Sequence, residues 1–392
     1  MLDSHTWRPI AALILGGVVL GWAARAAAEE KGDGAQDNKK QPPLVQLALL
    51  LDTSNSMDGL IDQTKTQLWS IVGQFAKTKL GGEKPQLEVA LYQYGNDGLP
   101  ATEGYVRMVV PLTDDLDRIS EALFALTTNG GEEYCGKVIQ VAVRQLDWKK
   151  SGRGLRSIFI AGNEPFSQGN VDYHVACKAA ADKGITVSTI FCGDREEGIQ
   201  TDWEQGAKLA EGSYLCIDQD QKVVSIRAPQ DAELARVSGE LNQTYLPYGD
   251  ARARKDFADR QEAQDQNAAR AAVSAAAARA GFKASGLYRN SGWDLVDAAA
   301  DDTIKLEDLK TEQLPQVMQP MSPAKLQAYL AEIAQKRKAI QARIQKLSAS
   351  RDAYVAKERV RLAAEAPADA AAAAAPLAEA IEMAIDAQVG DK

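Results

Sequence analysis

The length, composition and charge of the chain limit the classes of protein to which it can belong. Its 392 residues are enough for one full hydrophobic core and a second module, and its net charge is −9 at pH 7. Lysine and arginine are mixed among the acidic residues, without a basic patch that carries interleaved aromatic residues. This pattern argues against nucleic-acid binding and against strong adhesion to anionic lipid.

The first 28 residues are predicted to be a secretory signal peptide. The apolar stretch 10–24 is shorter than the roughly 20 residues that span a bilayer, and Ala26 and Ala28 form an A-x-A cleavage pattern. Residues 29–43 are polar and charged and end in two prolines, as in a flexible linker. We therefore expect export to the periplasm or the extracellular space. The alternative is an uncleaved segment that anchors the protein to a membrane.

The first predicted strand ends in three polar residues at alternate positions. Residues 44–51 are almost continuously apolar, as in a strand that is covered on both faces, and Asp52, Ser54 and Ser56 follow directly. In an extended chain these side chains point to one side. A carboxylate with two hydroxyls suits Mg²⁺, Mn²⁺ or Ca²⁺ rather than zinc. The same residue types also favour turns and helix caps, so the triplet alone leaves both interpretations open.

Strands and helices alternate from residue 44 to about residue 245. This alternation predicts an α/β fold, a doubly wound and mostly parallel sheet with helices on both faces. Ligands of such sheets bind at the carboxyl ends of the strands, which is where the polar triplet lies. The later predicted strands are 87–94, 105–112, 155–161, 185–192 and 213–217, and the predicted helices are 60–77, 116–126, 138–146, 173–182 and 202–209.

The order of these features resembles the von Willebrand factor type A (vWA) domain, which opens with an apolar strand ending in D-x-S-x-S and a long helix. The matching sequence is LALLLDTSNSMDGLIDQTKTQLWSIV, and the resemblance extends over residues 44–245. It implies a Rossmann-like fold and a metal site that two further loops complete, the second with Thr and the third with Asp. It also implies an open coordination position that takes a carboxylate from a partner protein.

The second loop, residues 127–133, departs from the family pattern. Glu132 follows the Gly pair, where family members usually carry Thr or Asp. Thr127 and Thr128 lie a little upstream and could reach the ion instead. Alternatively, Glu132 and Glu133 face solvent at the start of the next helix, where acidic residues interact favourably with the helix dipole.

The third loop departs further, since Gly162 stands at the position where the family carries Asp. Asn163 or Glu164 could take its place if its side chain points inward. If the changes have abolished cation binding, the domain is instead a degenerate vWA scaffold of an envelope complex. The predicted ligands, for Mg²⁺ or alternatively Mn²⁺ or Ca²⁺, are Asp52, Ser54, Ser56, Thr128, Glu132 and Asn163.

The sequence shows no recognisable catalytic site. His5 lies in the predicted signal peptide, and His174 heads a predicted helix, where a surface or cap role explains it better than a base. The sequence contains no G-x-S-x-G elbow, H-E-x-x-H or Walker A loop, and no G-x-G-x-x-G after a strand. We therefore expect no enzymatic activity. A metal-assisted hydrolase is the least favoured alternative.

Four cysteines lie within the predicted vWA domain, without zinc-site spacing: Cys135, Cys177, Cys192 and Cys216. In an oxidising compartment they could form up to two disulfides, and Cys192 and Cys216 end consecutive predicted strands. The alternative is that they are small buried residues with free thiols.

After residue 245 the composition changes to that of a helical region. Residues 246–365 are predicted to form a helical hairpin or bundle, in which 252–282 is one helix. Residues 366–392 are predicted to be an Ala-rich hinge and a short terminal helix. A heptad-like stripe predicts coiled-coil packing within the bundle or self-association, with Arg337 and Arg351 snorkelling to solvent. The stripe consists of Leu326, Leu330, Ile333, Ile340, Ile344, Leu347 and Tyr354.

Together these features predict an exported adhesion or scaffold module. Its vWA-like site would bind a protein partner through a divalent cation, and the helical region would support assembly.

Overall fold

A six-stranded sheet lies at the centre of the computed structural model, which describes residues 42–149, 154–218, 220, 225–365 and 376–390. In space the strands follow the order β3-β2-β1-β4-β5-β6, and all neighbours are parallel except β3, which runs antiparallel to β2. The predicted fold class is thus confirmed. In chain order the strands are β1 (Leu44–Asp52), β2 (Gln86–Tyr94), β3 (Val106–Thr113), β4 (Leu155–Gly162), β5 (Thr186–Cys192) and β6 (Tyr214–Ile217).

Helices cover both faces of the sheet and make up the C-terminal region, as predicted. The first six, which belong to the sheet domain, are α1 (Asp58–Lys77), α2 (Leu116–Phe124), α3 (Cys135–Gln145), α4 (Tyr173–Ala181), α5 (Arg195–Gln200) and α6 (Trp203–Leu209). The later ones are α7 (Asp231–Asn242), α8 (Ala251–Ala271), α9 (Val273–Lys283), α10 (Leu295–Ala300), α11 (Pro323–Glu365) and α12 (Leu377–Gly390).

The central strand β1 explains why its sequence is continuously apolar. Leu47, Leu49 and Leu51 pack on the face that α1 covers, and Ala48 and Leu50 pack on the opposite face against α3 and α4. Successive residues of a strand point to opposite faces, so a strand with helices on both sides needs apolar residues throughout. From β1 the chain moves first to β2 on one side and later to β4 on the other. The carboxyl end of β1 is therefore the switch point of the sheet.

The C-terminal helices share the core on the α1 face of the sheet. α9 and α12 both pack on α1, and α11 packs on α7 and α9. The predicted single helix 252–282 is wrong, because Ala272 has an extended backbone that separates α8 from α9. This break lets α8 lie on α2 while α9 lies on α1, so tertiary packing overrides the helix propensity of the Ala-rich segment.

The heptad-like stripe packs within the chain. Leu330, Ile333, Ile340 and Ile344 are buried, whereas Tyr354 is exposed. The two arginines in register do not reach solvent, which corrects the prediction that they snorkel. They are buried in ion pairs, Arg337 with Asp294 and Asp297 and Arg351 with Asp231.

The terminal helix α12 covers part of the sheet, as an amphipathic segment should. Ile381 and Ile385 are buried in the core that β1 and α1 share. The backbone N–H of Ala378 donates to Gln67 Oε1 at 2.6 Å, and Ser157 Oγ donates to Gln388 Oε1 at 2.6 Å. These two bonds tie the ends of α12 to α1 and β4.

The predicted disulfide is absent, since all four cysteines are described and all are free. Cys192 and Cys216 do not form a disulfide because of their register on β5 and β6. Cys192 lies opposite Ile217, and Cys216 lies opposite Phe191. A one-residue offset places the two side chains on opposite faces of the sheet. The alternative of free, mostly buried thiols fits the structure.

The predicted signal peptide 1–28, nearly all of the linker 29–43 and the hinge segment 366–375 lie outside the described residues. Within the described ranges, no helix combines the length and the apolar character needed to cross a membrane.

Candidate functional site

The polar triplet lies on the loop that leads from β1 into α1. Asp52 closes the strand, and its Oδ1 accepts a hydrogen bond of 2.8 Å from the backbone N–H of Ser54. This short-range bond turns the chain out of the sheet, and a single 3-10 turn (Asn55–Met57) leads into the helix. Asp and Ser favour such turns because their side chains bond to nearby backbone groups. The loop is thus at the switch point that the fold predicts for a ligand site.

Asp52 is the most unusual residue of this loop. Its side chain is fully buried, with 0% of its surface exposed, and its Oδ2 has no hydrogen-bond partner among the described residues. Burial raises the pKa of Asp52 well above its usual range, and the nearby charge of Glu133 raises it further. A buried carboxylate oxygen without a partner is costly, and a bound cation would remove that cost.

The two serines connect the first loop to the third. Ser54 Oγ lies 3.1 Å from Ser56 Oγ, and Ser56 Oγ donates to Asn163 Oδ1 at 3.3 Å. The structure thus brings together four of the predicted ligands: Asp52, Ser54, Ser56 and Asn163. The side-chain atoms that make these contacts are all oxygens, which suits a hard cation.

The second loop contributes a residue that the sequence prediction did not choose. Glu133 is buried, with 6% of its surface exposed, whereas Glu132 is exposed and Thr128 hydrogen-bonds to Asp58 at the start of α1. Burial, together with the charge of Glu164, raises the pKa of Glu133 to about 7, although hydrogen bonding by the Ser54 side chain opposes the rise. The structure therefore places Glu133, rather than Glu132 or Thr128, beside the triplet.

No local sequence pattern distinguishes Glu133 from Glu132. The backbone between Glu133 and Cys135 is a tight turn and not a strand, with φ −88 and ψ 81 at Tyr134 and a hydrogen bond of 3.2 Å from the N–H of Cys135 to the carbonyl oxygen of Glu133. Cys135 begins α3 as a buried residue, and Glu133 two positions earlier points into the protein as well. The burial of Glu133 therefore depends on this turn and on the close approach of the loop to Gly95, which the local sequence pattern does not show.

The third loop has no room for the Asp that the family carries. A Cβ atom on Gly162 would lie 2.5 Å from Tyr94 Oη, 3.1 Å from Asp52 Oδ2 and 3.2 Å from a ring carbon of Trp203. Tyr94 is buried, and its hydroxyl donates to the carbonyl oxygen of Ala161 at 3.0 Å. The tyrosine hydroxyl thus occupies the space next to Asp52 that a third-loop side chain would need.

No group of three or more His, Cys, Asp or Glu side chains in the described ranges is arranged to hold a metal ion by itself. A cation at this loop would therefore depend on hydroxyl and amide oxygens together with the carboxylates. Its chemistry would be that of an oxygen site and not of a zinc site.

Comparison with known families agrees with this geometry. The site and sheet define a doubly wound α/β protein with an oxygen-rich loop at its switch point. Residues 46–208 match the family model of the von Willebrand factor type A domain. This part of the chain is a vWA domain.

Solved structures of other proteins are similar to this chain at low identity. The conserved hypothetical protein BatB from Bacteroides thetaiotaomicron is 17% identical over 57% of this chain and 99% of that chain, with a TM-score of 0.34. The SpRpn10 VWA domain is 15% identical over 46% and 100% of the two chains, with a TM-score of 0.34. Proximal thread matrix protein 1 from the mussel byssus, with a zinc-occupied MIDAS motif, is 13% identical over 46% and 43%, with a TM-score of 0.34. Comparison with curated proteins found no match.

Proposed function

We propose that the protein is an exported protein-binding module whose vWA domain holds a divalent cation at Asp52, Ser54 and Ser56. Domains of this family mediate protein interactions, in some members through a metal site on this loop. The observation that carries the proposal is the buried Asp52 carboxylate, whose Oδ2 has no partner in the described part of the chain.

The residues around Asp52 fit such an ion. Two buried carboxylates, Asp52 and Glu133, both lie beside Ser54, and the charge of Glu133 raises the pKa of Asp52. Two acids that share a dry site repel each other unless a cation or a proton intervenes. Hydroxyl and carboxylate oxygens are ligands of Mg²⁺, Mn²⁺ and Ca²⁺. We favour Mg²⁺ and keep Mn²⁺ and Ca²⁺ as alternatives.

A partner protein would approach the carboxyl edge of the sheet. Ser56 and Asn163 are at least partly exposed there, so an ion beside them can take one more ligand from outside. We propose that this ligand is a carboxylate of the partner and that the protein is not an enzyme. Export rests on the N-terminal sequence pattern. Self-association through the C-terminal helices remains a separate proposal.

Replacing Asp52 by Asn should abolish cation binding, with affinity for Mg²⁺ and Mn²⁺ reduced by about 100-fold or more, because the charged ligand is lost. Titration calorimetry of the full chain measures this. Asp62→Asn, an exposed carboxylate on α1, is the matched control and should bind like the wild type. Asn has the shape of Asp and removes a costly buried charge, so the variant should stay folded in circular dichroism.

The degenerate scaffold is the second candidate function. It predicts that the wild type binds none of the three ions and that a chelator does not change which proteins the chain captures. Metal-dependent capture that Asp52→Asn abolishes would support the first proposal. Absence of cation binding in the wild type would contradict it.

A further inference from the structure

We infer that Glu133 supplies the second carboxylate of the cation site, from the second loop, in place of the acid missing from the third loop. This inference rests on the proposed function, since it assigns a ligand to the ion proposed there. In the family pattern the second acidic ligand comes from the third loop, whereas here it would come from the second loop.

Close backbone packing brings Glu133 to Asp52. Gly95, at the end of β2, lies between them with φ +73, and a Cβ atom there would lie 2.6 Å from Asp52 Oδ1 and 2.8 Å from Glu133 Cγ. A Cβ atom on Gly131 would lie 2.6 Å from the carbonyl oxygen of Gly95. Two residues without side chains therefore let the second loop lie against the end of β2. Any other residue at Gly95 would hold the two carboxylates apart.

The backbone around Glu133 is held in place. Its N–H donates to Gln168 Oε1 at 2.6 Å, and its carbonyl oxygen accepts from the N–H of Cys135 at 3.2 Å. Cys135 is the buried first residue of α3. A side chain on a fixed backbone loses less entropy when it binds an ion, which is the property expected of a ligand.

Burial of Glu133 needs an explanation that a surface role cannot give. Glu is rarely buried unless a partner balances its charge, and the Ser54 side chain that hydrogen-bonds to Glu133 is neutral. Asp52 lies beside Glu133 with Oδ1 on the side of Gly95, and its Oδ2, on the side of Gly162, has no hydrogen-bond partner among the described residues. A divalent cation between Asp52 and Glu133 would balance two negative charges. With Gly162 blocked by Tyr94, the position of Glu133 keeps the charge that the third loop lacks.

The test compares three conservative variants of the full chain by Mn²⁺ titration calorimetry: Glu133→Gln, Glu132→Gln and Glu164→Gln. Glu132 is the exposed neighbour, and Glu164 acts on both buried acids through its charge. Glu133→Gln should weaken Mn²⁺ binding by about tenfold or more. The two controls should stay within about threefold of the wild type, because neither supplies a ligand.

The possible results distinguish failure of the proposed function from failure of the inference about Glu133 alone. If the wild type binds no cation, the proposed function fails and the inference fails with it. If the wild type binds and Glu133→Gln matches Glu132→Gln, only the inference is overturned. Equal losses in Glu133→Gln and Glu164→Gln would also overturn it, since charge alone would then explain the effect.

Thermal unfolding provides a readout that is independent of the titration. Without metal, Glu133→Gln should melt at or above the wild-type temperature, because it removes a like charge beside Asp52. When Mn²⁺ is added, the melting temperature of Glu133→Gln should rise less than that of the wild type. If metal-free Glu133→Gln melts at a lower temperature than the wild type, Glu133→Asp replaces it in the binding test. It keeps the charge but shortens the reach, so it should bind more weakly than the wild type, and unchanged binding overturns the inference.

Discussion

Replacing Asp265 by Asn is expected to lower the free energy of unfolding by about 3–5 kcal/mol, which is the usual effect of removing one partner from a buried ion pair. Asp265 on α8 accepts hydrogen bonds from Lys283 Nζ at 2.8 Å and from Asn242 Nδ2 at 2.7 Å, and it pairs with Arg279. Lys283 and Arg279 are both buried. The substitution would leave Lys283 without its charged partner inside the core.

Chemical denaturation in urea or guanidinium measures the effect, and Asp259→Asn is the matched control. Asp259 is on the same helix and pairs with Lys255 at the surface, so its loss should change stability little. Equal effects of the two substitutions would show that the buried network does not stabilise the protein.

The pH dependence gives a second measurement of the same network. Although burial opposes it, the charges of Lys283 and Arg279 lower the pKa of Asp265 from 3.8 to about 2. A carboxyl group with a lowered folded-state pKa stabilises the protein above its unfolded pKa, and this contribution is lost as the pH falls through the folded value. Between about pH 4 and pH 2 the wild type should therefore lose more stability than Asp265→Asn.

This network explains why the helical region is attached firmly to the vWA domain. Arg279 on α9 also pairs with Asp117 on α2 at 2.7 Å, and its guanidinium lies over the ring of Trp69 on α1. One buried arginine thus joins α9 to two helices of the sheet domain. Removing one of the acids that pair with Arg279 should therefore destabilise the helical region and the sheet domain together, since the two share one hydrophobic core.

The sheet and the first loop were predictable from the sequence for a simple reason. A parallel strand with helices on both faces must be apolar throughout, and 44–51 satisfies this rule. The chain leaves such a strand at the carboxyl edge, so Asp52, Ser54 and Ser56 had to lie at the ligand-binding edge. Local patterns determined both features.

Features that depend on contacts between distant segments were not predictable in the same way. The break at Ala272 arises because α8 and α9 pack on different helices. Arg337 is buried because Asp294, 43 residues earlier, meets it. The choice of Glu133 over Glu132 depends on where α3 begins and on how closely Gly95 lets the loop approach. None of these contacts leaves a mark in the local periodicity.

Replacing Gly162 by Asp, which restores the residue that the family carries, is expected to destabilise the protein by about 3–5 kcal/mol and not to improve the site. The new Cβ would lie 2.5 Å from Tyr94 Oη, and the new carboxylate would join Asp52 and Glu133 in a dry environment. Overpacking a core and burying an unpaired charge each cost about 1–3 kcal/mol. Denaturation of the metal-free protein in the presence of a chelator measures the loss.

Two further variants separate the steric part of this effect from the electrostatic part. Gly162→Ala adds the clash without the charge, and Tyr94→Phe removes the hydroxyl that the Cβ would meet, at the expense of its hydrogen bond to Ala161. The double variant Gly162→Ala/Tyr94→Phe should therefore be more stable than the sum of the two single effects predicts. If Gly162→Asp instead keeps full stability and binds Mn²⁺ more tightly than the wild type, the third loop is open. The second acid of the site would then not need to come from Glu133.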